Sequence, residues 1–338
     1  MENQMELFKG ELMEEKLRLY FINNGYYVAR GVKYNFEGDE ITDIDLFLYG
    51  RTSSMTRERI NVDIKNKNKS SKAFERILWA KGLQTLLKFD GCVVATTDKR
   101  EVLRKYGLKH NTIILDGNFL QKLTYGTNIR VSEDSFLSEL SKIKNFDTPG
   151  NSTWKNKYEN SKSRILSELD FSGFNSALLD LKYFLLKCFD TQKKEIALRT
   201  SYIILSHSLI ILDYILKDIA FLEPEARKEN LSDGFKYGNL GKNGVDQTIN
   251  MALQIAKSKI STQEIKKRLD TNEMDILKEY FSKNDTMRNI FKWALSFEQL
   301  GFQTATTFPN ELPADLKGTL AIILDYFQIS RKDYFDLY

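Results

Sequence analysis

The first groups in this chain whose types and spacing could do chemistry are Asp63 and Lys65, within Ile60-Asn61-Val62-Asp63-Ile64-Lys65. Apolar and polar residues alternate here, so a strand puts Ile60, Val62 and Ile64 on one face and Asn61, Asp63 and Lys65 on the other. The carboxylate and the ammonium then address one point beyond the sheet. A metal-dependent hydrolase needs that pairing: an anionic ligand for the ion and a cation beside the attacked group. A half-buried strand with a wetted polar face has the same pattern. What else the chain brings to that face decides between the two.

The elements that must position these groups can be read in order. Met5 to Asn24 is predicted as a helix with a broad apolar face (Leu12, Leu17, Leu19, Tyr20, Phe21), stopped by Asn23-Asn24-Gly25. A β-prone run, Tyr26 to Arg30, and the turn-like Glu37-Gly38-Asp39-Glu40 precede a strand at Ile41 to Tyr49. In that strand Asp43, Asp45 and Phe47 share a face opposite Ile44, Leu46 and Leu48. After the opening strand, a helix over about Lys72 to Phe89 carries Phe74, Ile77, Leu78, Leu83, Leu86 and Leu87 at helical spacing. Gly91 to Thr97 and Asn111 to Asp116 read as buried strands separated by a short helix, Lys99 to Tyr106. This order implies an α/β sandwich with antiparallel strands first and a parallel crossover afterwards.

Asn145 to Ser152, with Asp147-Thr148-Pro149-Gly150 at its centre, is the expected linker. Beyond it the periodicity is helical: Trp154–Leu169, Ser176–Phe189, Gln192–Phe221, Val245–Ser258, Thr262–Phe281, Met287–Leu300 and Leu312–Phe327. The run through Tyr202 and Leu212 is apolar nearly all round and is expected at the centre of a bundle. Pro224, Gly234, Gly238, Gly241 and Gly244 read as a long irregular loop. The expected domains are therefore residues 1–145 and 152–338.

Composition narrows the chemistry. With 42% hydrophobic and 28% charged residues the chain is an ordinary globular protein, and a net charge of +4 does not by itself announce nucleic acid. The basic stretch from Arg51 to Lys72 is more telling. Cys92 and Cys188 lack metal-type spacing and read as small buried hydrophobes of a reducing compartment. Only His110 and His207 are available, which disfavours zinc sites and histidine triads. Arg199 and His207 are spaced too widely for the Arg-to-His motif of HEPN ribonucleases, and His207 reads as a core residue. No signal peptide is expected from the charged amphipathic start, and Ser201 to Leu216, holding His207 and Asp213, reads as core rather than membrane. The expected location is cytoplasmic.

Glu14 on the first helix, Asp45 on one strand, and Asp63 with Lys65 on its neighbour now converge. In this order they resemble the PD-(D/E)xK nuclease superfamily, with its restriction-endonuclease-like mixed sheet flanked by helices. Lys9-Gly10-Glu11-Leu12-Met13-Glu14 through Gly25-Tyr26-Tyr27 is similar to the opening of the Holliday-junction-resolvase and Mrr-like branches. Asp43-Ile44-Asp45-Leu46 is similar to the first metal-ligand strand, and Val62-Asp63-Ile64-Lys65 to the (D/E)xK strand, where the resolvase branch more often has Glu. The resemblance covers about Met5 to Leu123, and not the helical remainder.

The resemblance implies a Mg²⁺- or Mn²⁺-dependent endonuclease, with DNA as the expected substrate and bacterial defence (restriction or anti-phage action) as the expected role. Asp45, Asp63 and the Ile64 carbonyl would be hard oxygen ligands, with Glu14 holding a metal-bound water or a second ion. Lys65 would position the attacking water and stabilise charge on phosphorus. Asp43 rivals Asp45, and Glu11 and Glu15 rival Glu14. Arg51, Arg57, Arg59, Lys67, Lys69 and Lys72 are the expected phosphate contacts, with Lys81 and Gln84 as accessory polar residues. A homo-oligomer is expected, with the helical domain serving assembly, regulation or a protein partner. The alternative is a non-catalytic nucleic-acid-binding or complex-forming subunit that keeps the fold.

Overall fold

The structure, a computed structural model, describes residues 9–65, 72–123, 130–143, 153–190, 192–255 and 273–338. The chain divides into two compact units, Met1–Ser167 with Phe302–Thr304, and Glu168–Gly301 with Ala305–Tyr338.

The first unit is mixed α/β. Its sheet has five strands in sequence order: β1 (Tyr27–Phe36), β2 (Asp39–Arg51), β3 (Arg57–Lys65), β4 (Gly91–Thr96) and β5 (Ile113–Leu115). The first three form an antiparallel meander, and β4 and β5 join in parallel. Parallel neighbours need crossovers, and α2 (Lys72–Leu86) and α3 (Glu101–Lys109) supply them. β1 and β2 run further than the sequence predicts because Glu37 and Gly38, at φ 51° and 96°, make a two-residue turn that lets Phe36 pair with Asp39.

Alternation sorts the strands between two cores. Leu46, Leu48, Ile60, Val62, Val93 and Ala95 face Leu17 and Phe21 of α1 (Lys9–Asn23), and Leu120 of α4 (Gly117–Lys122) joins them. Cys92 and Val94 face Ala73, Ile77 and Ala80 of α2 and Leu103 of α3. The opposite face of β3 is therefore covered, and Asn61 and Asp63 are buried beneath α2 rather than wetted. The sequence could not show this, because a polar residue under a helix has the same period as one under water.

A buried ionic network ties the ends of this unit together. Glu133 of α5 (Glu133–Ser141) accepts hydrogen bonds from Arg18 at 3.1 Å, from Lys162 of α6 (Trp154–Ser167) at 2.8 Å and from the Tyr158 hydroxyl at 2.5 Å. Lys162 also donates to the Arg30 carbonyl at 2.8 Å. Glu15 accepts from Arg30 at 3.2 Å and from the Glu133 amide at 3.1 Å, so it is a buried structural acid and not a surface one. Lys162 places α6 in the first unit, so the division falls after Ser167, past the 145–152 stretch that composition marks; residues 144–152 lie outside the described residues. Phe302 belongs here too, with the Arg18 and Arg130 guanidiniums 4.4 and 4.6 Å from its ring centroid.

The second unit is helical: α7 (Phe171–Lys187), α8 (Lys194–Leu216), α9 (Pro224–Tyr237), α10 (Gly241–Ile255), α11 (Glu273–Phe281), α12 (Asn284–Phe302, its last residue in the first unit), α13 (Ala314–Tyr326) and α14 (Arg331–Phe335). α8 is long and apolar enough to cross a membrane, but 89% of its apolar window is buried within the protein, as in the core helix of a soluble fold. Its hydroxyls bond backward along the helix, Thr200 to the Ile196 carbonyl and Ser208 to the Ile204 carbonyl.

The expected loop from Pro224 to Gly244 is instead α9, a 3₁₀ turn at Gly238–Leu240 and the start of α10. Pro224 sits in the first turn of α9, where a missing N–H costs nothing. Gly234 serves packing rather than a turn, since a Cβ there would lie 2.3 Å from the Phe171 ring. Chain reversal occurs only at Gly238 and Gly241, with φ 55° and 63°.

Candidate active site

β2 and β3 do not stay paired along their whole length. Their ladder runs from Arg51↔Arg57 to Leu46↔Val62. Beyond it β2 continues against β1 (Ile44↔Val32, Asp43↔Lys33), while β3 continues against β4 (Asp63↔Val94, Lys65↔Thr96). The sheet therefore opens between the two strands where Asp45 and Asp63 are next in register. Asp45 accepts the Ile64 amide released by the opening, at 2.5 Å. In a strand the N–H and C=O of one residue point to the same side, so the Ile64 carbonyl faces the opening as well.

Asp63 is held from above. Arg76, on α2, donates from Nε to Asp63 Oδ2 at 2.8 Å and forms a second contact from Nη2 to Oδ1, a bidentate fork. The Asp63 side chain is only 6% exposed and that of Arg76 27% exposed. Asn61 donates to the Ala80 carbonyl at 3.3 Å on the same covered face. Burial pushes the Asp45 carboxyl above the ordinary carboxylate range; Asp43 adds to this, and the Ile64 amide, Arg76 and Lys65 oppose it. Burial lowers the Arg76 guanidinium, and Asp45 and Asp43 work against that loss. Asp45 thus senses Asp43, Lys65 and Arg76, and Arg76 senses Asp45 and Asp43.

Glu14 approaches from α1. It accepts from Arg30 Nε at 2.7 Å, and its carboxyl is raised first by burial and further by Asp45 and Asp134, against the pull of Arg30. Glu14 and Asp45 are thus electrostatic neighbours, although Glu14 is engaged by Arg30 rather than turned freely to the opening.

Of the expected phosphate contacts, the described arginines Arg51, Arg57 and Arg59 are not at this place. Arg51 and Arg59 lie at the other end of the β2–β3 ladder, and Arg59 is roughly 13 Å from Asp63 at ~3.3 Å per residue. Arg57 is buried and donates to the Ser53, Ser54 and Thr56 carbonyls, closing the β2–β3 loop, and Arg59 donates to the Lys88 carbonyl at 2.6 Å. Lys81 and Gln84 bond each other, and Gln84 reaches the Asp90 carbonyl, also at the far end. The reason is topological: α2 runs back along β3, so only its first turns overlie Asp63. Lys67 and Lys69 fall outside the described residues, as does the Lys72 side chain. The residue that the sequence reading missed is Arg76. Its signal was present as a lone charge between Ala73, Ile77 and Ala80, the residues that face the sheet.

Asp45, Asp63 and the Ile64 carbonyl are hard oxygen donors of the kind Mg²⁺ and Mn²⁺ take. Among the described residues, however, no three His, Cys, Asp or Glu side chains are gathered closely enough to hold an ion as they stand. The donor chemistry fits a hard divalent ion only if Arg76 leaves Asp63. No protein-family model, curated protein or solved structure matches this chain.

Proposed function

We propose that the first unit is a metal-dependent phosphodiesterase acting on nucleic acid, with DNA as the expected substrate and a restriction-endonuclease-like fold. One observation carries this reading: the sheet opens where Asp45 and Asp63 meet in register, with Lys65 and Arg76 beside them. The antiparallel meander, crossover helix and parallel strands follow the element order read from the sequence.

A bound divalent ion would lower the pKa of water and neutralise charge on the scissile phosphate. Asp45, Asp63 and the Ile64 carbonyl would hold it. Lys65 would place its ammonium at the attacked group and orient water there. Arg76, once off Asp63, keeps a planar fork that suits a phosphate as well as a carboxylate, so the backbone contact missing from the far-end arginines would come from α2. Glu14 would polarise water from the α1 side.

The second reading, a non-catalytic nucleic-acid-binding or complex-forming subunit, is favoured by the same Arg76–Asp63 fork, because a permanent internal cation would replace the ion. Plasmid nicking in Mg²⁺ or Mn²⁺ separates them. Wild type is expected to nick, with Asp63→Asn and Lys65→Ala slower by about 100-fold or more, as expected when a group that stabilises transition-state charge is lost. No nicking in any metal, or equal nicking by all three proteins, rejects the hydrolase.

A further inference from the structure

Along α6, Asn156, Glu159, Asn160 and Ser163 recur at three- and four-residue spacing and share one face. Across from them stand Lys33 and Asn35 of β1 and Glu40 of β2, and the two walls enclose a cleft of about 320 Å³ within the first unit. Ligand sites run from ~300 to ~1,000 Å³, so the cleft suits a small molecule. A bulge in the hairpin helps to build it. Tyr34 pairs with Thr42, so unbroken register would set Ile41 opposite Asn35; the shift sets Glu40 there instead. Two groups in the cleft lack the partners their burial calls for. Ser163 is 8% exposed, and its hydroxyl has no hydrogen-bond partner among the described residues. A helical serine commonly donates to the carbonyl one turn back, as Ser167 does to Ser163 at 3.2 Å. Ser163 does not, and a buried hydroxyl left unpaired is costly. Glu159, with its side chain 16% exposed, accepts no hydrogen bond among the described residues: Lys33 pairs with Glu40 at 2.8 Å and stays 3.9 Å from Glu159.

The geometry points to a binding site for a small hydroxylated primary amine of the amino-sugar class, its ammonium on Glu159, one hydroxyl on Ser163 and the others on the Asn35, Asn156 and Asn160 amides. Two carboxylates against one ammonium leave the cleft a single negative charge, which favours a monocation. An amide donates at one end and accepts at the other, and a sugar hydroxyl does both, so neighbouring hydroxyls satisfy each amide completely. Other occupants match less well. A nucleotide would bring its phosphate against two carboxylates and would find no aromatic ring among the lining residues to stack on. A metal ion would have to displace the Lys33 ammonium that faces both carboxylates. This inference does not depend on the hydrolase reading.

Calorimetric titration of the full chain with glucosamine tests it. Wild type is expected to bind with a Kd of about 1 mM or tighter, as a ligand of this size allows. Glucose, which lacks the ammonium, and putrescine, which lacks the hydroxyls, should each bind about tenfold more weakly, the loss of one good charged or polar contact set. Glucose 6-phosphate should not bind. Glu159→Gln should weaken glucosamine about tenfold and remove its advantage over glucose. Ser163→Ala should weaken glucosamine about tenfold while leaving the ligand-free melting temperature unchanged or higher, because the hydroxyl it removes makes no bond in the empty protein. Should either variant fail to fold, the wild-type ranking of the four ligands decides. Glucose or putrescine binding as tightly as glucosamine overturns the proposal, and so does glucosamine binding that is indifferent to both substitutions. No glucosamine binding at ~10 mM would assign the cleft to ordered water and overturn it too.

Discussion

Arg76 decides how the acidic residues of this protein are to be understood. Asp63 is almost wholly buried, and a buried carboxylate without a partner is expensive. The guanidinium fork supplies that partner in the metal-free protein, so Arg76→Ala should destabilise it by about 3 kcal/mol, the cost of breaking a buried pair. The two functional readings diverge on the rescue. If Asp45 and Asp63 hold a divalent ion, Mn²⁺ should raise the melting temperature of Arg76→Ala more than that of wild type, because the internal competitor is gone. Thermal unfolding in chelator and in Mn²⁺ measures this, and an equal response to Mn²⁺ in both proteins would mark Arg76 as a permanent counter-ion.

Among the elements, α1, α5, α6 and β1 are joined by charge around Glu133 as well as by apolar packing. Burial alone would raise its carboxyl, but the Lys162 ammonium, the Arg18 guanidinium and the Tyr158 hydroxyl hold it down to about 2. Its folded pKa is therefore below the unfolded value near 4.5. The stability it confers is fully present above pH ~4.5 and is lost as pH falls toward 2, in total a few kcal/mol. Glu133→Gln should cost about 3–5 kcal/mol at neutral pH, since it leaves Lys162 and Arg18 buried without their counter-charge. It should also flatten the acid side of the stability curve, which denaturant melts between pH 2 and 7 would show. The turn glycines of the helical unit also differ from its packing glycine. Gly238 and Gly241 reverse the chain, whereas Gly234 lets α9 approach Phe171, and composition alone treats all three as loop.

For the whole molecule, the notable feature is that the first unit is discontinuous. Phe302 returns to it from the end of α12, buried between the Arg18 and Arg130 guanidiniums and 5.4 Å from the Phe136 ring. Val131 also donates its amide to the Phe302 carbonyl at 2.7 Å. Phe302→Ala should destabilise the first unit by about 3–5 kcal/mol, the usual range for a buried aromatic truncated to alanine. Hydrogen exchange followed by mass spectrometry should find the loss of protection in α1 and α5, and a loss confined to residues 305–338 would contradict this assignment.

The sequence by itself determined what local periodicity encodes. The order of strands and helices, the alternation that puts Asp63 with Asn61 and Lys65, the apolar core of α8 and the grouping of Asp45 with Asp63 were legible from residue type and spacing. Tertiary structure alone decided what covers a face and how far an element reaches. Asp63 reads the same under water or under α2, yet it is buried there and clamped by Arg76. Arg51, Arg57 and Arg59 are near Asp63 along the chain, but a strand carries each residue ~3.3 Å further from the opening. Leu78 and Leu86 share the helical spacing of the core residues Ile77 and Leu83, yet face outward. Periodicity fixes which residues share a face; the fold decides what that face meets.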